Sequence, residues 1–386
     1  MMFWKDFSKI NYRNQGNSKE VISQEVVTLM IQSKKGFMSR RHKKHSSIFS
    51  SALVVFIMLS LVALLIAYKL YLGVFAPNIN PAFCEKHPAL IINSESSYQD
   101  VLSQLETDSV LLDMRSFKLL AKKMNYPNKV FAGHYRLNDQ MSNYELIRLL
   151  RSGDSPPFMV AIDKYHTIYE LAGGVGASLE IDSADIVKYM LDRGFLNAHK
   201  LTKDNALTFF IPNSYEFYWN TSLKKFFARM ENEADKFWTE ERINKAEAIR
   251  FSKAEVYTLA SIVQEEAARE DEMERIAGVY LNRIRKRIRL EADPTIKFLV
   301  RNRKDNKVYL SDYEIVSPYN TYRNSGLPPG PIIQARMGAM DAVLNAERHN
   351  YLYFCAKADG SGYHLFTNDY KQHVNNRRLY LKSKKK

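Results

Sequence analysis

Two adjacent carboxylic acids, Glu265 and Glu266, stand where this sequence could support acid–base chemistry. They close an apolar run of helix-forming residues that starts at Tyr257, and the first proline after that point is Pro294. At ~100° per residue, Glu266 lies within about 20° of Leu259 and shares the apolar face of the helix. A carboxyl group on a buried face loses hydration. Its pKa then rises, and it can hold a proton near neutral pH, as a general acid must.

The same spacing also allows a structural role for Glu266. A glutamate at the edge of an apolar stripe can pair with a neighbouring cation and take no part in chemistry. Glu265 falls beside Thr258 and Ser261 on the polar face of the helix. Periodicity alone therefore favours Glu266 over Glu265 but leaves both roles open.

Two other titratable residues have structural interpretations of their own. Asp293 precedes Pro294, so it reads as a helix N-cap with proline at the first helical position. His364 lies in a short apolar run after the turn at 360–362, where a single histidine usually serves the structure. Neither residue type nor local spacing assigns chemistry to them.

Composition describes a globular protein with basic ends. The 386 residues are 46% apolar and 25% charged, enough for one large or two ordinary domains. Of the net charge of +14, most lies in residues 1–47, with ten Lys and Arg against three Asp and Glu, and in 377–386, with six and no acid. The folded part is nearly neutral, so the charge does not predict nucleic-acid binding. Cys84 and Cys355 lack zinc-ligand spacing and are expected to be two unrelated thiols.

Residues 48–68 form an uncharged apolar stretch long enough to cross a bilayer as a helix. Four basic residues precede it within 40–44, and only Lys69 follows closely. The positive-inside rule then places the basic tail 1–47 in the cytoplasm and the chain beyond a membrane helix at 48–71 outside. The alternative is a signal peptide cleaved after Ala76, but the apolar stretch is overlong for that role.

The remaining pattern predicts an α+β fold. Strands are predicted at 89–92, 133–137, 158–162 and 351–356, the last of them buried. Helices are predicted at 97–105, 115–123, 168–172, 183–193, 223–240 and 337–344. Ser142 and Glu145 form a capping box that begins a helix ending at Gly153. Residues 317–332 are too rich in turn formers to be regular structure, and such loops often line sites.

An aromatic-rich segment, 207–222, leaves two interpretations open. Its rings could pack as a core between two lobes, or they could form a platform on which sugar rings stack. The sequence does not decide between these.

Six motifs in order between residues 259 and 367 make the chain similar to a known family. They are LASIVQEEA, AGVYLNR, ADPTIK, YNTY with SGLPPGPI, YLYFCA and HLFT. Together they resemble the YceG-like endolytic murein transglycosylase family. Upstream, AGHYRL with QMSNYELIRLLRSG and FFIPNSYEF are similar to the LysM-like subdomain and connector of that family. The resemblance covers about residues 85–382, and a preceding membrane anchor fits it.

The resemblance implies a site and a reaction. The family cleaves the MurNAc–GlcNAc β-1,4 bond of nascent peptidoglycan with one catalytic glutamate, which corresponds to Glu266. No cofactor or metal is implied. Glu266 would act as acid and then base, giving 1,6-anhydro-MurNAc ends. The substrate-binding candidates are Asp293, Asn320, Tyr322 and His364.

The resemblance also implies an organisation. It comprises the tail 1–47, the membrane helix 48–71, a LysM-like subdomain at 77–157, a mostly helical connector at 158–250 and a lysozyme-like α+β catalytic domain at 251–383. The protein would sit in the bacterial inner membrane with its catalytic domain outside, acting on glycan strands beside penicillin-binding proteins or other wall synthases. Two rivals remain: a non-catalytic wall scaffold, and a muramidase that uses water with Asp293 as its second carboxylate.

Overall fold

The computed structural model describes residues 51–87, 89–305 and 307–383, so the predicted cytoplasmic tail 1–47 lies outside it. Contacts divide the chain into two compact units, residues 1–76 and 77–386. In the first unit, helix α1 (Ser51–Phe75) is long and apolar enough to cross a membrane. It continues beyond the predicted end of the span, because the apolar character persists through residues 70–75.

The second unit is a mixed α+β fold with three separate two-stranded antiparallel sheets in the described residues. Its strands are β1 (Ala89–Ile92), β2 (Gly133–Arg136), β3 (Phe158–Ile162), β4 (Asn213–Phe217), β5 (Tyr353–Ala356) and β6 (His364–Thr367). Its helices before the catalytic candidates are α2 (Pro81–Lys86), α3 (Tyr98–Thr107), α4 (Met114–Lys123), α5 (Asn143–Ser152), α6 (Ile168–Ser178), α7 (Ser183–Met190), α8 (Arg193–Ala198), α9 (Leu223–Phe237) and α10 (Glu240–Ala248). The others are α11 (Lys253–Glu266), α12 (Met273–Arg285), α13 (Asp293–Val300), α14 (Met337–Leu344) and α15 (Tyr370–Ser383).

The first part of this unit places two helices between two paired strands. β1 and β2 pair antiparallel, and α3 and α4 lie between them in sequence. The helices start where the side chains dictate. Ser97 and Asp100 form a capping box on α3, and the predicted box of Ser142 and Glu145 begins α5. The buried apolar residues between 79 and 150 form a core cluster of their own.

The aromatic-rich segment 207–222 contributes to a second core. Phe209, Phe210, Tyr215 and Phe217 are buried with residues of α6, α7 and α9. The ring centre of Phe226 lies 6.1 Å from that of Phe210 and 5.4 Å from that of Phe217. These rings fill the interior, which favours the packing interpretation over a sugar-stacking platform.

A third core surrounds α11, which packs against α12, α13 and α14. All residues from Val256 to Val263 are buried, so the middle of this helix is enclosed on every side and its hydroxyl groups are not solvated. The hydroxyls there bond within the helix: Thr258 Oγ1 donates to Ala254 O at 2.7 Å, and Ser261 Oγ donates to Thr258 O at 2.7 Å. A serine or threonine satisfied in this way can enter a core.

Several predicted boundaries are wrong. The helix predicted at 183–193 ends at Met190 and the one at 223–240 ends at Phe237, each where a cap residue begins the next helix. The strand predicted as buried at 351–356 is β5, which starts at Tyr353 and is partly exposed because a two-stranded sheet covers little. Both cysteines are free, as expected.

Candidate active site

Glu266 is the last residue of α11. A capping box of Ser252 and Glu255 begins the helix, and Ala267 adopts an extended conformation that ends it. The side chain of Glu266 is partly buried, and no hydrogen bond to its carboxyl group comes from the part of the chain that the structure describes. Desolvation raises the pKa of Glu266 from 4.5 to about 7, the negative charge of Asp293 adds to the rise, and Lys297 opposes it. A carboxyl group with such a pKa is protonated in a large fraction of molecules at neutral pH.

Asp293 is the first residue of α13 and not its N-cap, which is Ala292. The N-cap prediction is therefore wrong, and the carboxylate has other partners. Tyr322 donates to Asp293 Oδ1 at 2.5 Å, and Tyr313 donates to the same oxygen at 3.1 Å. Two phenol donors on one oxygen orient the Asp293 carboxylate, whose negative charge acts on Glu266.

The loop 317–332 brings Tyr322 to Asp293 because it is tied to the start of α13. Thr321 Oγ1 accepts from Ala292 N at 3.0 Å, and Thr321 O accepts from Glu291 N at 3.2 Å. Burial, followed by the hydrogen bond to Asp293 and its charge, raises the pKa of Tyr322 far above 10. Tyr322 therefore remains a hydrogen-bond donor at any physiological pH.

Asn320 holds the two tyrosine-bearing segments together. Its Nδ2 donates to Tyr313 O at 2.9 Å and to Ile315 O at 2.8 Å, and its Oδ1 accepts from Tyr322 N at 3.0 Å. The residue is 0% exposed. Its carboxamide is thus occupied by the backbone, which does not support the expected direct contact with the glycan.

His364 lies in a second polar cluster, on the β5–β6 hairpin. Its Nδ1 is 2.8 Å from Glu272 Oε2, and its backbone N donates to both oxygens of Glu272 at 3.0 and 3.1 Å. Glu272 is 4% exposed. The same hairpin contacts the segment after Glu266, since Arg269 donates twice to Ser361 O. His364 therefore fixes the chain that follows α11.

The other acid of the pair differs from Glu266. Glu265 is exposed and lies with Lys297 in a cleft of about 290 Å³. Gln264, directly before Glu265, accepts from Arg336 N at 2.8 Å and donates to Gln334 O at 3.3 Å. The Gln264 carboxamide therefore links α11 to the chain before α14 by hydrogen bonds. The carboxyl group of Glu266 forms no such hydrogen bond in the described residues.

Three residues around Glu266 and Asp293 were not singled out by the sequence. Tyr280 on α12 is 2% exposed, and burial first and the charge of Glu266 second raise its pKa well above 10. Lys297 stands one turn after Asp293, and Tyr313 completes the tyrosine pair, with its ring 4.7 Å from that of Tyr322. Apolar periodicity predicts that Tyr280 is buried, but no local signal shows what it lies beside.

The assembled site can deliver one proton from a desolvated acid beside a fixed negative charge. Glu266, Asp293 and Tyr322 are brought together, and His364 and Asn320 support the surrounding chain. Within residues 51–87, 89–305 and 307–383, no group of three or more His, Cys, Asp or Glu side chains could hold a metal ion. A desolvated carboxyl group beside a second carboxylate supports acid–base catalysis.

Comparison with known proteins finds relatives that cover most of this chain. The endolytic murein transglycosylase of Bacillus subtilis (strain 168) is 28% identical over 309 residues, which cover 76% of this chain and 84% of that protein. The protein of that name from Streptococcus pneumoniae (strain D39) is 24% identical over 332 residues, 78% of this chain but 59% of that longer protein. The crystal structure of a YceG-like protein from Listeria monocytogenes matches with a TM-score of 0.52 and 28% identity, over 74% of this chain and 97% of that one. Residues 90–379 match the model of the YceG-like family, and a match over that much of the chain shows that this protein belongs to the YceG-like family.

Proposed function

We propose that this protein is an endolytic lytic transglycosylase of peptidoglycan, with Glu266 as its catalytic residue. Support comes from family membership, from relatives named endolytic murein transglycosylases, and from the environment of Glu266. The pKa of about 7 at Glu266 carries the proposal, because one carboxyl group can then both give and take a proton near neutral pH.

The reaction needs two proton transfers at one residue. Protonated Glu266 donates to the glycosidic oxygen, the bond from MurNAc C1 to that oxygen breaks, and GlcNAc leaves with a free hydroxyl. The Glu266 carboxylate then removes the proton from the C6 hydroxyl of MurNAc, whose oxygen bonds to C1. The product carries a 1,6-anhydro ring, no water is consumed, and Glu266 ends protonated as it began.

Positive charge develops at C1 as the bond breaks, and Asp293 is suited to stabilise it. The tyrosine pair holds this carboxylate in a fixed orientation, so its negative charge is preorganised. We infer that Tyr322 and Asp293 contact the sugar, that His364 holds the chain after Glu266, and that Asn320 shapes the loop.

Asp293 also favours a second candidate function, hydrolysis by water. A glycosidase needs a second carboxylate to activate water or to form a covalent bond to the sugar. The charge of Asp293 acts on Glu266, which shows that the two groups are neighbours. Two tyrosines already donate to one oxygen of Asp293, so this oxygen is less available to a water molecule.

We further propose that residues 77–157 are a LysM-like glycan-binding subdomain and that α1 anchors the protein in the inner membrane. The support is the strand–helix–helix–strand order with paired outer strands, and the apolar length of Ser51–Phe75. With the N-terminus in the cytoplasm, the folded region lies outside and meets newly made glycan. Wall synthases would be its partners there.

Product analysis in labelled water tests the function. The purified protein is incubated with glycan strands in H₂¹⁸O, and the ends are identified by mass spectrometry. We expect 1,6-anhydro-MurNAc ends without ¹⁸O. Reducing ends that carry ¹⁸O would instead assign the muramidase reaction, and intact strands would leave a binding role.

A further inference from the structure

A cleft of about 290 Å³ opens beside the catalytic acid. It shares Lys297 with the surroundings of Glu266, and it is lined by Glu265, which directly precedes Glu266. Its size is at the small end for ligand pockets, so it suits a branch of a substrate better than a whole disaccharide.

The cleft combines an apolar lining with two cations. Phe298, Val308 and Ile332 supply apolar surface, and Lys297 and Arg301 supply positive charge. Arg301 stacks on Phe298, with its guanidinium carbon 4.3 Å from the ring centre. This combination matches a ligand that carries small alkyl groups together with a carboxylate.

Neither cation is fully neutralised by the described chain. Lys297 forms no ion pair there, and Arg301 reaches only Glu170, at 3.8 Å. Glu170 is shared, because His166 N donates to its other oxygen at 2.9 Å. Arg301 Nε is also buried without a hydrogen bond in the described residues, so the guanidinium retains donor capacity.

The walls of the cleft are held in place by bonds between distant segments. His166 Nδ1 is 2.8 Å from Ile332 O, and Gln334 N donates to Tyr165 O at 2.9 Å. Gly330 lies against the Asp204 carbonyl, where any Cβ would collide with that oxygen. A preformed wall lowers the ordering cost of binding a short flexible branch.

We propose that this cleft binds the carboxylate-bearing peptide branch of the muramic acid on which Glu266 acts. This rests on the proposed function, because only a muramic acid at the catalytic residue carries such a branch on its lactyl group. Small apolar residues of the peptide contact Phe298 and Ile332, and a carboxylate of the peptide accepts hydrogen bonds from Arg301 and Lys297. The enzyme then favours glycan whose peptides are still attached.

Three forms of one glycan preparation test the proposal with the full-length protein. The first keeps its peptides, the second has lost them to an amidase that leaves the lactyl carboxylate, and the third has its peptide carboxylates converted to amides. For the wild type we expect kcat/KM to be about tenfold higher for the first form than for the other two, the gain expected from one charge-assisted hydrogen bond.

Variants attribute the preference to the cleft. Arg301→Gln should reduce the ratio of kcat/KM values for intact and trimmed glycan to about one. Lys297→Gln should reduce it as well, and the exposed Lys304, in the same region but outside the cleft, serves as the control in Lys304→Gln. The ratio does not depend on the fraction of folded enzyme, so partial unfolding of a variant does not obscure the result.

Each outcome bears on a separate statement. Equal kcat/KM for intact and trimmed glycan in the wild type, or a ratio unchanged in both variants, overturns the peptide site and leaves the transglycosylase intact. A sugar ring in the cleft would give that equality. Failure of the wild type to cleave any of the three forms overturns the proposed function, and the peptide site with it.

Discussion

Glu266 and Glu272 are six residues apart, yet they sit in opposite environments. Glu272 is 4% exposed, and its oxygens accept from the backbone and ring of His364. Glu266 is less buried, but no group in the described chain donates to its carboxyl, and burial raises its pKa to about 7. Burial together with a partner makes a structural carboxylate, whereas burial without one makes an acid that can transfer its proton.

The two glutamates are also connected in the chain, because the segment 267–272 begins directly after Glu266 and ends at Glu272. The Glu272–His364 pair joins the start of α12 to the hairpin, and Tyr363 adds a bond to Asp271 Oδ2 at 2.9 Å. These bonds hold the far end of the segment 267–272. We therefore predict that Glu266 controls the reaction and that Glu272 controls the stability of the segment after Glu266.

The largest expected effect is on catalysis by Glu266→Gln, which keeps the shape but removes the titratable proton. General acid–base catalysis contributes about 10²–10⁴-fold, and here one residue serves both steps, so we expect a loss of at least 10³-fold in kcat. Glu265→Gln is the matched control and should stay within about tenfold, since Glu265 is exposed. Comparable losses in the two variants would contradict the assignment.

Glu272→Ala should reduce the stability of the protein more than its catalysis, the opposite of Glu266→Gln. It leaves the buried donors of His364 without an acceptor, which should lower the free energy of unfolding by about 3 kcal/mol in a denaturant titration. Activity per folded molecule should fall less than tenfold. Glu274→Ala, at an exposed glutamate two residues further along the chain, is the control. A catalytic loss above 10³-fold with unchanged stability would show that Glu272 acts in the chemistry.

Replacing the charges around Glu266 should move its pKa in opposite directions. The Asp293 charge raises the pKa, so Asp293→Asn should shift the high-pH limb of the rate profile to lower pH. Lys297 lowers it, so Lys297→Gln should shift that limb to higher pH. Each shift should be smaller than the whole displacement from 4.5 to about 7, because desolvation is the largest cause. Shifts of the same sign in both variants would refute the electrostatic explanation.

The smallest effect should be a gain in stability. The pKa of Glu266 is higher in the folded than in the unfolded protein, so stability is lost as the pH rises from 4.5 to about 7. Glu266→Gln avoids that loss, and at pH 8 it should stabilise the protein by about 1–2 kcal/mol, a figure discounted for the partial exposure of the side chain. At pH 4 the gain should vanish. A variant that is less stable than wild type at pH 8 would argue against desolvation.

Local pattern was sufficient to predict that Glu266 loses hydration and Glu265 does not, because the apolar period of a helix is visible in the sequence. It also located β1, β3 and α14. The same wheel fails for Thr258 and Ser261, because hydroxyls that bond within their own helix can be buried as readily as apolar groups.

The partners of the acidic residues could not be predicted, since they are distant in the sequence. Tyr322 lies 29 residues after Asp293, and His364 lies 92 residues after Glu272. Local spacing made Asp293 a helix cap, but tertiary contact made it an acceptor for two tyrosines. Asn320 shows the converse, since its residue type suits a sugar ligand while its backbone bonds occupy the amide.

Titration of Glu266 in the folded protein is the most direct test of the proposal that desolvation raises the pKa of this residue and makes it a general acid. The side-chain carboxyl carbons of glutamate are labelled with ¹³C, and the Glu266 signal is assigned by its absence in Glu266→Gln. We predict a midpoint near pH 7 for this signal. A midpoint near 4.5 would mean that the carboxyl is hydrated and ionised at neutral pH, and it would contradict the role of Glu266 as the acid.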